Sequence, residues 1–369
     1  MNSIPVHFTR PIKKGSEGNA TTRLLLESKR PIIGEIELTL FENCHLDCSF
    51  CHHDKKSTVG LSEEEILSKV ALVEDHLIKL QGKVKMVQIN MVGGELFQDR
   101  LSHLYPIYFK LLMAIKPLYE KYGHTLRVVW VTSFQFKKRV EVKNLLDSLN
   151  ENKVPSYLIA SYDFEGRPVK GQYARNVDFF SNDIISINMV ATKDSIIKFL
   201  HLKDKEDPYF TYLYNKFDHF YFDDYIPDVG YDDQIPSDSL YLEFLKYITD
   251  FYPDIAPYAD LINNDRNEMH CLALNKVTIF PDNSISNCRW DRYSDKDFRT
   301  PLNRSDNTTM MASFMEENGC LSCKWFNKCG FRCYTQHDWV NRERDTDDCV
   351  MRLWFNYNEN ILYKNDRNM

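Results

Sequence analysis

The chain has 369 residues, of which 43% are hydrophobic and 27% charged, a composition typical of a globular protein long enough for a catalytic domain and a smaller one. A net charge of −7 and a pI near 5.9 argue against a broad nucleic-acid surface. No apolar run approaches about 18 residues and residues 1–7 lack a signal core, so we expect a cytoplasmic protein without a membrane segment.

The chain after residue 35 alternates apolar runs with amphipathic segments, whereas residues 1–34 are polar and irregular and are interpreted as an N-terminal extension. The apolar runs predict six strands, at residues 35–40, 85–92, 125–132, 156–161, 184–190 and 217–222. Helical spacing predicts helices at residues 61–80, 101–122, 137–150, 173–180, 195–203 and 237–251.

Strands that alternate with helices predict a parallel sheet with helices outside it. Six strands are too few for a closed eight-stranded barrel, so the expected fold class is α/β, with a partial (β/α)6 barrel over residues 35–235. Residues 236–369 would then form a bridging region and a small cysteine-rich domain. In parallel α/β folds the chemistry collects at the carboxyl ends of the strands.

The ten cysteines fall into two groups, three at residues 44–51 and seven at residues 271–349. In a chain with no export signal, such clusters indicate metal binding rather than disulfides. The sequence therefore predicts two metal-binding regions in a reducing compartment.

The first group, Cys44, Cys48 and Cys51, follows the first predicted strand with the spacing C-x3-C-x2-C. Three thiolates on one loop can hold three irons of a [4Fe–4S] cluster and leave the fourth iron open for a ligand. The alternative is a zinc knuckle, in which a neighbouring histidine is the fourth ligand. The histidines available for that role are His45, His52 and His53.

This loop resembles that of the radical S-adenosylmethionine (SAM) enzymes, in which Phe50 before the last cysteine also fits. Gly93-Gly94-Glu95 after the second strand resembles the turn that lines the SAM methionyl group in that family, although Leu96 stands where the family often has proline. The resemblance implies that the reduced cluster cleaves SAM to methionine and a 5′-deoxyadenosyl radical. The radical would take a hydrogen atom from the substrate, in a site that excludes water.

The glycine–glutamate turn carries two expectations. Glu95 is expected to orient the SAM amino group together with the backbone of Gly93 and Gly94. Because glycine lets the chain pass close to a ligand, Gly94→Val is expected to weaken SAM binding and to leave the cluster content intact.

Polar residues at later strand ends complete the predicted SAM site. The resemblance implies that Ser161 contacts the SAM ribose and Arg175 its carboxylate, and Ser133 and Asn188 lie at the ends of the third and fifth strands. Each of these residues is equally well explained as a polar side chain that satisfies loop backbone.

The C-terminal cysteines resemble the SPASM extension of radical SAM peptide-modifying enzymes. A predicted hairpin at residues 277–286 has Asn283 where the motif has glycine, and asparagine tolerates the left-handed conformation better than most residues. The resemblance implies a distal auxiliary cluster held by Cys320, Cys323, Cys329 and Cys349, and a proximal one held by Cys271, Cys288 and Cys333. SAM and three [4Fe–4S] clusters are therefore the expected cofactors.

The family resemblance favours oxidation or cross-linking of a peptide or protein side chain, with an external one-electron reductant of the flavodoxin or ferredoxin type. Because every cysteine is assigned to a cluster, no thiol remains to return a hydrogen atom, which disfavours epimerisation. Asp291 is a candidate base, although a solvated or salt-bridged aspartate is the simpler interpretation. Residues 1–34 are too short for a leader-binding domain, so a separate leader-binding protein or the barrel surface would recognise the peptide.

Two other functions are compatible with part of the pattern. One is dehydrogenation or epimerisation of a small sugar or amino-acid metabolite, which the short N-terminal segment favours. The other is a non-catalytic iron–sulfur carrier or zinc-stabilised binding module, which the open cluster loop disfavours. The Asp pairs at residues 223–224 and 232–233 are interpreted as solvated loop charge rather than as a cation site.

Overall fold

A computed structural model describes residues 33–48, 50–51, 53–164, 170–203, 207–225, 232–262, 276–286, 316, 318–326, 329 and 345–359. The described chain divides into two compact units. The first unit contains the described residues within 30–187 and 273–292, and the second contains those within 188–272 and 293–369. The domain limits expected from the sequence, at residues 34 and 235, stay a prediction.

The strands are β1 (Ile33–Thr39), β2 (Met86–Val92), β3 (Thr125–Thr132), β4 (Ser156–Ser161), β5 (Ile184–Ala191), β6 (Phe220–Asp224), β7 (Lys276–Ile279) and β8 (Ile285–Ser286). They form one sheet in the order β6-β5-β4-β3-β2-β1-β7-β8. The strands from β1 to β4 pair in parallel with their sequence neighbours. All six predicted strands are present, and the predicted fold class, a mostly parallel partial barrel, is confirmed.

The described helices are α1 (Glu63–Leu67), α2 (Lys69–Leu80), α3 (Tyr105–Tyr122), α4 (Arg139–Glu151), α5 (Lys170–Phe179), α6 (Lys193–Leu200), α7 (Pro208–Lys216), α8 (Asp238–Phe251), α9 (Tyr258–Ile262) and α10 (Val350–Tyr357). Short 3-10 turns precede α3 at Asp99–Leu104 and follow α6 at His201–Lys203. Helices α7, α9 and α10 were not predicted. No helix in the described ranges is long and apolar enough to cross a membrane.

Local signals explain where several helices begin and end. Ser62 and Glu65 form a capping box at the start of α1, and Gly123 ends α3 with a left-handed φ of 76°. The single helix predicted at residues 61–80 is wrong, because the chain divides into α1 and α2 at Ser68. The Ser68 hydroxyl accepts a hydrogen bond from the side chain of Asn283, a tertiary contact that no local pattern shows.

The predicted C-terminal hairpin is present, and its place in the sheet was not foreseen. Strands β7 and β8 pair in antiparallel fashion, and β7 also pairs in parallel with β1, so the hairpin extends the sheet on the β1 side. Asn283 adopts a left-handed φ of 65°, as the sequence predicted for this turn. Residues far apart in the chain therefore share one hydrogen-bonded sheet.

A buried lysine on α2 holds the turn of this hairpin. Lys69 is 0% exposed, and its ammonium donates to the carbonyl oxygens of Phe280 (2.7 Å) and Pro281 (3.2 Å) and to Oδ1 of Asn283 (2.9 Å). A buried charge is tolerated only when its donors are used, and three acceptors meet that need. The side chain of Asn283 thus gives the turn an attachment that glycine would lack.

Lys69→Met is expected to lower the free energy of unfolding by about 1–3 kcal/mol, because the carbonyl of Pro281 loses this donor and the carbonyl of Phe280 and Oδ1 of Asn283 each lose one of two donors. Chemical denaturation followed by circular dichroism measures this change. Lys79→Met, at an exposed position on the same helix, is the matched control and should have little effect. Equal stability of the two variants would show that the hairpin is held in another way.

Candidate functional site

The cysteine loop leaves the carboxyl end of β1 and is closed by backbone hydrogen bonds. The N–H of Cys44 donates to the carbonyl of Lys55 at 3.3 Å, and that of Cys51 donates to the carbonyl of Cys48 at 3.2 Å. Cys48 is buried, whereas Cys44 and Cys51 are half-buried. The predicted position of the loop, at the carboxyl edge of the parallel sheet, is confirmed.

Burial raises the pKa of the Cys44 thiol to about 11. The carboxylate of Glu95 and the thiols of Cys51 and Cys48 raise this pKa further, whereas the N–H of Leu46, 3.4 Å from the Cys44 sulfur, opposes them. The three thiols and Glu95 are therefore close enough to interact electrostatically. Cys44 must lose its proton to bind iron, so loading of this site releases protons.

Asn43, the residue before the first cysteine, connects three segments around the loop. Its carbonyl accepts a hydrogen bond from Gln98 at 3.0 Å, and its Oδ1 accepts one from Arg100 at 2.6 Å. Its Nδ2 donates to the carbonyl of Ser57, at the far side of the loop, at 3.0 Å. Asn43, Gln98 and Arg100 were not predicted from the sequence. Their only signal was that they are polar residues close to the two motifs.

The two glycines of the turn pack against the cysteine loop itself. A Cβ added to Gly94 would lie 1.9 Å from the carbonyl oxygen of Asn43 and 2.6 Å from that of Glu42, and one added to Gly93 would lie 2.5 Å from that of Phe41. The N–H of Gly94 also donates to the Phe41 carbonyl at 2.8 Å. The expectation that Gly94→Val leaves the cluster content intact stays a prediction, and the collision of the added side chain with backbone next to Cys44 argues against it.

The carboxylate of Glu95 is held by the end of β3. One oxygen accepts from the hydroxyl of Thr132 (2.7 Å) and the N–H of Phe97 (3.0 Å). The other accepts from the N–H of Ser133 (2.7 Å) and from its hydroxyl. Two carboxylate oxygens that each accept two hydrogen bonds are held firmly in place. The predicted contacts of Glu95 and Ser133 with SAM stay predictions, and the structure adds that the two residues bind each other.

The segment that follows β3 is also braced against the cysteine loop. Phe134 is buried and adopts a left-handed φ of 58°, an uncommon conformation for an aromatic residue. The buried amide of Asn176 on α5 donates to the carbonyls of Phe134 (2.9 Å) and Phe136 (2.7 Å). His45 hydrogen-bonds through Nε2 to the carbonyl of Gln135 at 3.0 Å. This hydrogen bond gives His45 a role outside the zinc-knuckle alternative.

The remaining predicted SAM residues are spread along the sheet. Phe50 is half-buried, and Ser161 is the last residue of β4. Arg175 is exposed on α5, where it donates to Gln172 of the same helix at 3.1 Å. Asn188 belongs to the second unit and donates to Asp223 at 3.3 Å. Their contacts with SAM stay predictions.

One face of the sheet in the first unit is polar. The register places Glu37 beside Asn90 on β2 and beside Thr278 on β7, with Glu35 and Arg127 in the adjacent row. The opposite face carries the row Leu38, Met91 and Trp130, which is apolar and packs under α3. A parallel sheet covered by helices on both faces would be apolar on both, so the polar face is suited to a polar ligand.

The second unit brings four of the C-terminal cysteines together. One cavity is lined by Cys320, Cys323, Cys329 and Cys349, with Trp325, Phe326 and Phe355 among the surrounding side chains. Cys349 is the N-cap residue of α10, and backbone hydrogen bonds turn the segment at residues 320–329. Four thiols around one cavity have the ligand number of a fully ligated [4Fe–4S] cluster.

Four predicted residues lie outside the described part of the chain, so their roles stay predictions. They are Cys271, Cys288, Asp291 and Cys333. Across the described ranges, no group of three His, Cys, Asp or Glu side chains is arranged to hold a single metal ion.

The fold is similar to that of solved structures, although no protein-family model and no curated protein matches the sequence. Native anSMEcpe with bound AdoMet, which is SAM, has 15% sequence identity and a TM-score of 0.59, over 91% of this chain and 99% of that chain. Native anSMEcpe with bound AdoMet and Kp18Cys peptide has 16% identity and a TM-score of 0.57, over 91% of this chain and 100% of that chain.

Streptococcus suis SuiB has 17% identity and a TM-score of 0.49, over 90% of this chain and 83% of that chain. At identities this low, similarity shows the fold. The chain shares the fold of AdoMet-bound anSMEcpe, which has the higher TM-score. The fold resemblance drawn from the cysteine motifs is thereby confirmed.

Proposed function

We propose that the chain is a radical SAM enzyme that oxidises or cross-links a side chain of a peptide substrate. The observation that carries this proposal is the meeting of the three-cysteine loop with Gly93-Gly94-Glu95 at the carboxyl edge of the sheet, in a fold shared with AdoMet-bound anSMEcpe. When bound, SAM and a reduced [4Fe–4S] cluster would supply a 5′-deoxyadenosyl radical able to break an unactivated C–H bond.

The residues present suit a three-cysteine cluster with one open iron. Cys44, Cys48 and Cys51 would hold it, and their sulfurs are near enough to one another to interact. Asn43 fixes the start of the loop, and Glu95 fixes the strand end beside it. Cluster ligands that neighbouring residues hold in place through hydrogen bonds are what a reaction with a short-lived radical requires.

A peptide is the proposed substrate class. The support is that anSMEcpe binds the Cp18Cys and Kp18Cys peptides in structures that share this fold. The polar sheet face with Glu37, Asn90 and Thr278 supplies polar groups of the kind that orient such a substrate.

We propose net oxidation because the C-terminal cysteines offer an electron acceptor. The four-cysteine cavity would hold one auxiliary cluster, and Cys271, Cys288 and Cys333 a second. After the radical takes one hydrogen atom, the substrate radical would pass one electron to an auxiliary cluster and one proton to a base. An external one-electron reductant would supply the electron that cleaves SAM.

The test is hydrogen transfer from a deuterium-labelled peptide encoded beside this gene. Incubation with SAM and dithionite is expected to give deuterium in 5′-deoxyadenosine and a peptide lighter by two hydrogen atoms, both measured by mass spectrometry. Protein with Cys44, Cys48 and Cys51 replaced by alanine is the control and should transfer no label. Transfer in which protium replaces the lost deuterium, with no further loss of hydrogen, would indicate epimerisation, and label transfer only from a sugar or amino-acid metabolite would overturn the peptide substrate.

A further inference from the structure

Arg352 borders the four-cysteine cavity of the second unit. It lies on α10, three residues after Cys349, and lines the cavity together with Cys323. The pKa of Arg352 is raised mainly by interaction with the Cys323 sulfur. The charge of Asp348 is the next largest cause that raises it. The guanidinium is therefore a positive charge that lines the same cavity as the four cysteines.

The position of this guanidinium is set by Asp348. Nη1 of Arg352 donates to Oδ1 of Asp348 at 2.9 Å, and the same oxygen accepts the N–H of Cys349 at 2.7 Å. The side chain of Arg352 is 29% exposed, so solvent screens its charge only in part. Arg352 thus places a positive charge beside Cys323, and Asp348 places a negative charge beside Cys349.

A second cation nearby provides a comparison. Lys324 follows Cys323 directly, but its side chain is 51% exposed, pairs with Glu359 at 2.8 Å and lies over the ring of Trp325. Lys324 lines a second cavity, which Cys323 and Arg352 also line, and does not line the four-cysteine cavity. A charge beside the four-cysteine cavity and a charge in its lining can therefore be separated by mutation.

We propose that Arg352 raises the reduction potential of the distal auxiliary cluster through its charge in the lining of the four-cysteine cavity. This inference rests on the proposed function, which places a cluster in the cavity. Reduction adds one negative charge to the cluster, and a fixed cation or a hydrogen bond to a cysteine sulfur stabilises the reduced form. Asp348 acts in the opposite direction, because its carboxylate opposes the added negative charge.

The test is a redox titration of the reconstituted full-length chain monitored by electron paramagnetic resonance. The signal of the distal cluster is the one that disappears in Cys329→Ala. Arg352→Gln is expected to shift its midpoint to more negative potential, with the oxidised-to-reduced ratio rising up to tenfold, or about 59 mV for a one-electron couple. Arg352→Lys should restore part of the shift, and Asp348→Asn should move the midpoint in the positive direction.

General structural damage would not shift the midpoint potential in opposite directions in Arg352→Gln and Asp348→Asn. Lys324→Gln is the control and should leave the midpoint unchanged. An unchanged midpoint in Arg352→Gln, or an equal shift in Lys324→Gln, with the cluster loaded in both, overturns the role of Arg352. If Cys329→Ala loses neither iron nor signal, the cluster is not in this cavity and the proposed cofactor assignment fails as well.

Discussion

Alanine at Cys44, Cys48 and Cys51 together is expected to remove about four irons per chain and to abolish cleavage of SAM. The physical reason is that these thiolates are the proposed protein ligands of the one cluster with an open iron. Burial already disfavours a charged sulfur at Cys44, so only bound metal compensates for the loss of its proton. Iron is measured after anaerobic reconstitution, and cleavage is measured as 5′-deoxyadenosine formed with dithionite.

The matched control for this triple variant is Cys349→Ala in the other group of cysteines. It should also lose iron, but it should still form 5′-deoxyadenosine, because the cysteine loop after β1 is intact. Unchanged SAM cleavage in the triple variant would refute the central assignment. Stoichiometric zinc with little iron in the unmodified chain would support the zinc knuckle instead.

Gly94→Val is expected to lose both SAM binding and the iron of the same cluster. A Cβ at this position lies 1.9 Å from the carbonyl oxygen of Asn43, and backbone cannot yield as a flexible side chain would. Because Asn43 precedes Cys44 and is hydrogen-bonded to Gln98 and Arg100, its displacement moves the first cysteine. Iron content and SAM affinity, measured by isothermal titration calorimetry, should therefore fall together.

Gly171→Ala is the matched control for this substitution. Its added Cβ would meet only the flexible end of Arg175, at 3.4 Å, so iron content and SAM affinity should stay unchanged. If Gly94→Val weakens SAM binding while the iron content is retained, the expectation from the sequence for this substitution is right. The collision with the Asn43 backbone then does not displace Cys44.

Much of the fold follows from local patterns. The strands β1 to β6 were predictable because buried parallel strands are short apolar runs, and α8 because Ser237 caps an amphipathic segment. The break at Ser68 and the helices α7, α9 and α10 were missed. The side chain of Ser68 is hydrogen-bonded to Asn283, more than 200 residues away. Local periodicity carries no information about such partners.

Residue types and their spacing were enough to predict the chemistry of the candidate site: the cysteine spacing, the glycine–glutamate turn after the next strand, and their place at one edge of a parallel sheet. What each motif residue contacts became visible only in the folded chain. Gly94 is required by the backbone of Asn43, Glu95 is bound by Thr132 and Ser133, and Lys69 holds the distant hairpin. The reason is physical: spacing along a chain fixes which groups are available, whereas packing between strands and helices selects the partner of each group.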